Sequence, residues 1–254
     1  MSILVLFAVS GTSMADTGAK DRIEVVVDAN YPPYSFGTAE QAGGLYTRLI
    51  GEIFSRCGMK ADIRALHWKD ALKEGEEGRA AVGGIYKTRA RMKIYDYSRP
   101  FFEERLAVYV KRGNAFPFAR LSDLQGRTIG LNRAWSYGDE FDAARKEYRF
   151  NVDEADSNLE NFKKLVAGRI DCLVADRFAA SQIIRRENWG DQFEALENPV
   201  AVNPAYLAIA KHLEKRQVLD KFDQALTEMK KDGSFEKLVQ GFVGKVPVPK
   251  TSEE

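Results

Sequence analysis

The stretch "VVVDANYPPYSF", Val25 to Phe36, sets a carboxylate, two prolines and three aromatic rings where a β-branched run ends. A short run that is apolar on both faces reads as a strand inside a parallel sheet, here Ile23 to Asp28. Pro32 and Pro33 stop it, because proline offers no N–H to a ladder. In open α/β sheets, ligands bind beyond the carboxyl ends of strands. Asp28, with Tyr31, Tyr34 and Phe36 beside it, is therefore a candidate binding position.

The segments that follow repeat the alternation such a sheet requires. "GGLYTRLIGEIFSRCG" reads as a helix, with Leu45, Leu49, Ile53 and Cys57 at helical spacing and Gly58 suited to its C′ position. Ala61 to Leu66 is a predicted strand, Trp68 to Glu74 a helix, Ala80 to Ile85 a strand of small residues, and Arg105 to Gly113 an alternating strand. The pattern then restarts. "GRTIGLN" is a strand, and "SYGDEFDAARKEY" a helix with Ser136 as its expected N-cap. "SNLENFKKLVAGRI" is a capped helix with Phe162, Leu165 and Val166 inward. "DCLVAD" is a strand and "RFAASQIIRRE" a helix. "NPVAVNPAYLAIAK" is a further strand. Leu219, Phe222, Leu226 and Met229 share one face of a late helix, and "KKDGSFEKLVQGFV" adds a turn and a last helix. Strands alternating with helices argue for an α/β fold with mostly parallel sheets. Asp176 closes "DCLVAD" as Asp28 closes the first strand, so two strand-end carboxylates in two halves are placed to face one cleft.

Composition narrows the function. The chain has 254 residues, 44% hydrophobic and 30% charged, enough for one or two domains. Lys plus Arg number 38 against 37 Asp plus Glu, a net charge of +1, which lacks the basic excess of a nucleic-acid binder. No apolar run approaches the ~20 residues of a membrane-spanning helix. The two cysteines, Cys57 and Cys172, read as buried free thiols. The two histidines, His67 and His212, lie far apart, so neither a metal site nor a cofactor is expected. At the start, Ile3 to Val9 is a short apolar block followed by small residues, with Ser13 and Ala15 where a signal peptidase reads. Residues 1–15 are thus expected to be a signal peptide for export to the periplasm, although no Lys or Arg precedes Lys20.

The order and separations of "YPPYSF", "GGLYTRLIGEIFSRCG", "TRAR" with "YDYSRPFF", "LSDLQGRTIGL", "AGRIDCLVAD" and "KKDGSFEKL" resemble one family. It is the periplasmic solute-binding proteins of polar amino-acid ABC importers, the group with lysine/arginine/ornithine- and histidine-binding members. The similarity runs from Ile23 to Phe242. It implies the type II periplasmic-binding-protein fold: two α/β lobes, residues 20–110 with 201–254 and residues 111–200. Two hinge strands would join them near Tyr109–Gly113 and Pro199–Tyr206. It implies a non-catalytic monomer that captures a free amino acid by hinge closure and delivers it to a membrane permease. By resemblance Arg91, in the "T-x-x-R" that Thr88 opens, clamps the ligand α-carboxylate. Asp28 and Asp176 receive its ammonium, and Tyr31 and Trp68 sandwich its side chain. Ser136 offers a hydroxyl from the second lobe, and the backbone at Gly84 and Tyr86 helps hold the carboxylate. A dehydrated zwitterion needs both charges paired, and an arginine fork fits a carboxylate.

Plainer roles stand beside these. Arg91 could cap a helix or pair with Asp96, the two aspartates could be helix caps, and the rings could be core. The chain also departs from the family. Tyr86 stands where serine is common and Ala80 where aspartate is common. Arg133 and Trp135 replace small polar residues, leaving Arg133 free to meet an acidic ligand group or solvent. Cys57 lacks the disulfide partner of one member class. Two other functions remain open. One is a cyclohexadienyl dehydratase-like enzyme on the same fold, although Ala179 stands where those enzymes carry a glutamate. The other is a sensory module acting with a membrane receptor.

Overall fold

A computed structural model describes residues 21–243. The apolar block and cleavage site read at the start of the chain lie outside the described residues. Strand β1 (Arg22–Asp28) has its three valines without exposed surface, as a strand covered on both faces must. After it come three short strands, β2 (Asn30–Tyr31), β3 (Ser35–Gly37) and β4 (Ala42–Gly43), which form a small separate sheet. Helix α1 (Leu45–Arg56) buries Leu45, Leu49 and Ile53 and ends where Gly58 turns left-handed at φ +75°. Then follow β5 (Lys60–Leu66), α2 (Trp68–Glu76), β6 (Ala81–Tyr86), β7 (Tyr95–Tyr97) and the long β8 (Phe102–Lys111).

The second half contains β9 (Thr128–Asn132), α3 (Asp139–Glu147), β10 (Asn151–Ala155), α4 (Asn158–Val166), β11 (Cys172–Asp176) and α5 (Arg177–Arg186). The 18-residue β12 (Phe193–Ala210) leads back to α6 (Arg216–Lys231) and α7 (Ser234–Val243). The main sheet runs β10-β9-β11-β8-β12-β6-β1-β5, with β7 against β12. Its two ends are parallel, β1 with β5 and β6, and β9 with β10 and β11. Between them β8 and β12 are antiparallel to each other and to their neighbours.

That central pair joins the lobes of an α/β, type II binding-protein architecture. Leu106 to Tyr109 already pair with β11, and Ala205 to Ala208 with β6. The stretch of β8 and β12 that spans the two lobes is therefore Phe102–Arg105 against Val202–Ala205. The first crossing lies earlier than Tyr109–Gly113, because the alternation of the whole strand conceals where its partner changes.

Other expectations are corrected locally. Gly138, not Ser136, is the N-cap of α3, at φ 103°, and the helix begins at Asp139. Val166 is 39% exposed at the last turn of α4, so only Phe162 and Leu165 of that trio face inward. Cys57 is half-buried at the C-cap of α1 while Cys172 is fully covered, and both are free. Strand β10 carries no apolar run and pairs only at the sheet's rim, which hides it from the sequence. The face of α6 made by Leu219, Phe222, Leu226 and Met229 is buried against α1, as its spacing requires.

Candidate functional site

A cleft opens between the lobes at the carboxyl ends of β1 and β6. The first lobe supplies Asp28 from β1, Tyr31 and Ser35 from the loop strands, and Tyr46 from α1. Trp68 at the start of α2, Gly83, Gly84 and Tyr86 of β6, and Arg91 complete that wall. The second lobe supplies Trp135 and Ser136.

Arg91 sits in a short turn set by Thr88, whose hydroxyl accepts the Arg91 N–H at 3.2 Å and whose side chain is buried. The guanidinium donates to the Tyr86 carbonyl at 3.3 Å and lies 5.7 Å from the centroid of the Trp68 ring. No carboxylate among the described residues pairs with it, Asp96 included. Burial lowers its pKa, which marks a cation short of counter-charge.

Asp28 is 5% exposed and accepts from the Asn30 N–H and from the Trp135 indole N–H, each at 2.8 Å. Burial nevertheless pushes its pKa up to about 6. Trp135 comes from the other lobe and meets the Tyr31 ring edge-on at 4.4 Å. Gly84 is needed where it stands. It has φ +77°, and a Cβ there would come within 2.7 Å of the Tyr46 ring. Ser136 donates to Asp142 and accepts from the Gly138 N–H, so its hydroxyl braces the loop before α3.

The remaining candidates do not line this cleft. Asp176 is 3% exposed and fully engaged: Tyr34 hydroxyl at 2.8 Å, Arg105 N–H at 2.9 Å and Ala179 N–H at 2.9 Å. It is the N-cap of α5, and Tyr34 is packed over it, stacked on Tyr46. Arg133 belongs to the outer mouth beside Asn30 and Asp70, where it pairs with Asp156 at 2.9 Å and Glu154 at 3.4 Å. The sequence left it to meet an acidic ligand group or solvent; in the structure it pairs with these two acids at the surface.

The sequence reading missed Glu104. Its carboxylate has no exposed surface and accepts hydrogen bonds from Tyr31, Tyr46 and Tyr86, all three lining the cleft. Burial, with Asp176 nearby, pushes its pKa up to about 8. The available signal was alternation. Glu104 shares a face of β8 with Leu106, Val108 and Val110, all buried.

The comparisons with known proteins agree with this geometry. Residues 23–245 match the model of the bacterial extracellular solute-binding proteins, family 3. The L-cystine-binding protein TcyJ of Escherichia coli (strain K12) is 23% identical over 258 residues, covering 96% of this chain and 93% of that protein. ABC transporter arginine-binding protein 1 of the same strain is 25% identical over 244 residues, covering 94% and 97%. Among solved structures, an ancestral arginine-binding protein bound to arginine superposes with a TM-score of 0.75 at 25% identity, over 87% of this chain and 97% of that one. A two-lobed α/β architecture, a charged cleft between the lobes and a family match over nearly the whole described chain place this protein in family 3 of the bacterial extracellular solute-binding proteins.

Proposed function

We propose that this protein captures a free amino acid in the periplasm and presents it, lobes closed, to a membrane ABC permease. The observation that carries the reading is Arg91, a largely buried guanidinium in the cleft with no carboxylate partner among the described residues. A ligand carboxylate supplies the missing counter-charge through a bidentate fork. Asp28, across the cleft, holds an acidic surface for the ammonium end. Tyr31 and Trp68 offer ring faces, which suit an aliphatic or cationic side chain. The names of the relatives, for cystine and for arginine, support an amino-acid ligand.

Binding and closure are coupled through contacts that exist only when the lobes meet. Ligand first docks on the first-lobe residues, and Trp135 and Ser136 arrive with the second lobe. The cycle has no covalent step. Glu104, behind the cleft wall, is covered by three hydroxyls. Calorimetry with the standard amino acids and cystine tests the assignment. Wild-type protein binds at least one of them, and Arg91→Ala removes that binding while the melting curve stays cooperative. Unchanged affinity in Arg91→Ala rejects the role given to this residue. Aromatic product from prephenate or arogenate rejects the non-catalytic reading.

A further inference from the structure

The acids around the cleft outnumber its cation. Asp28 lines the cleft with Arg91, and Glu104 and Asp176 are buried behind its wall. Asp176 is spoken for by Tyr34 and two backbone N–H groups. Glu104 has a different arrangement. Its hydrogen-bond partners are three phenols, and no lysine or arginine among the described residues pairs with it.

Each phenol carries one hydrogen. While Glu104 is ionised, Tyr31, Tyr46 and Tyr86 commit theirs to it, so toward any other group their oxygens only accept. Reversing them to donate into the cleft would leave a fully buried carboxylate without donors, which its desolvation disfavours. The three tyrosines that line the cleft thus carry acceptor oxygens backed by an acid, an environment that disfavours carboxylates and neutral acceptors and favours N–H groups. Tyr86 connects this floor to the carboxylate clamp, because its carbonyl accepts from Arg91 while its hydroxyl meets Glu104. A cation next to a carboxylate is the pattern of an α-amino acid.

We propose that Glu104 is a positioning residue that, through Tyr31, Tyr46 and Tyr86, makes the cleft floor the receptor for the ligand's α-ammonium. It thereby takes the role that a sealed Asp176 leaves open. The inference rests on reading the cleft as an amino-acid site and assigns the group that discriminates amine from hydroxyl there. A 2-hydroxy acid of the same skeleton keeps the carboxylate for Arg91 and brings a neutral hydroxyl to the floor.

The test measures affinities by calorimetry for the standard amino acids and L-cystine, and for the 2-hydroxy acid of each that binds. Wild-type protein prefers the amino acid by about tenfold or more, the scale of a charge-assisted contact. Glu104→Gln, whose amide donates as well as accepts, loses most of that preference while the 2-hydroxy acid binds within about twofold of wild type. Tyr86→Phe, which keeps the ring and removes one hydroxyl, shifts the ratio the same way by less, and decides the matter if Glu104→Gln does not fold. Equal losses for both ligands in these variants mean that the cluster only shapes the cleft, and overturn the proposal. Equal wild-type affinities for amino acid and hydroxy acid overturn it while leaving carboxylate capture by Arg91 intact. If no amino acid binds, both readings fall.

Discussion

The Trp135 indole N–H donates to the Asp28 carboxylate at 2.8 Å, joining the second lobe to the end of the first lobe's central strand. These residues are separated by 107 positions, and the bond exists only with the lobes together. It therefore biases the hinge toward closure. A hydrogen bond to a charged acceptor is worth about 1.5–3 kcal/mol. Trp135→Phe keeps an aromatic wall and deletes the donor. The expected outcome is ligand affinity lowered by about ten- to a hundredfold, with a larger radius of gyration in solution scattering. Tighter binding in the variant would mean that the indole competes with the ligand for Asp28.

Much of this architecture could be read from the chain, and the parts that could not share a cause. Leu45, Leu49 and Ile53 announce α1, and Val25 to Asp28 announce β1, because local periodicity records which face is covered. Asp28, Arg91 and the rings at Tyr31 and Trp68 were legible as a candidate site and meet in the cleft. Asp176 was legible only as a strand-end acid. Its sealing by Tyr34, 142 positions away, is a tertiary fact without local trace. Glu104 was masked in another way. Set within "FFEERL", it looks like one of several solvated charges, although the alternation of β8 turns it inward. Ser136 failed as an N-cap because the loop's left-handed turn at Gly138 moves the helix start by two residues.

Binding strengthens as pH rises from about 6 to about 9. In the free cleft, burial holds Glu104 at about 8, so it retains its proton near neutrality, and Asp28 at about 6, so it takes one up only as pH falls through that value. An ammonium favours their ionised forms and expels those protons, so affinity falls as pH drops through each value. The groups facing Glu104 are the hydroxyls of Tyr31, Tyr46 and Tyr86, with Asp176 and Tyr34 beyond. Those facing Asp28 are Trp135, the Asn30 N–H and His67. Calorimetry at pH 7.5 in two buffers of different ionisation enthalpy should record proton release on binding. Proton uptake, or a flat profile, rejects the assignment.

Stability of the ligand-free protein moves the opposite way. The folded-state pKa of Glu104 is raised from 4.5 to about 8. Its contribution to stability is therefore fully present below 4.5 and lost as pH rises through about 8. At ~1.4 kcal/mol per pK unit the loss amounts to a few kcal/mol. For a chain of this size that lowers the melting temperature by roughly 5 °C or more between pH 6 and pH 9. Glu104→Gln has no proton to lose, so its melting temperature should vary less over that interval, whatever its absolute value. An equal slope in the variant would assign the effect to other groups.

Two glycines give opposite answers to the same substitution. Gly84 has φ +77°, and an added Cβ would stand 2.7 Å from the Tyr46 ring, whose hydroxyl is one of three on Glu104. Strained backbone of this kind costs about 1–3 kcal/mol, and the displaced ring disturbs the cleft floor as well. Gly84→Ala should therefore lower both the melting temperature and the ligand affinity. Gly51 lies inside α1, where an added methyl group would meet nothing within 4 Å. There alanine adopts the helical conformation freely and restricts the unfolded chain, so Gly51→Ala should stabilise by about 0.5–1 kcal/mol and leave affinity unchanged. If Gly84→Ala bound ligand like wild type, the Tyr46 hydroxyl would not contribute to the site, and the acceptor floor would reduce to Tyr31 and Tyr86.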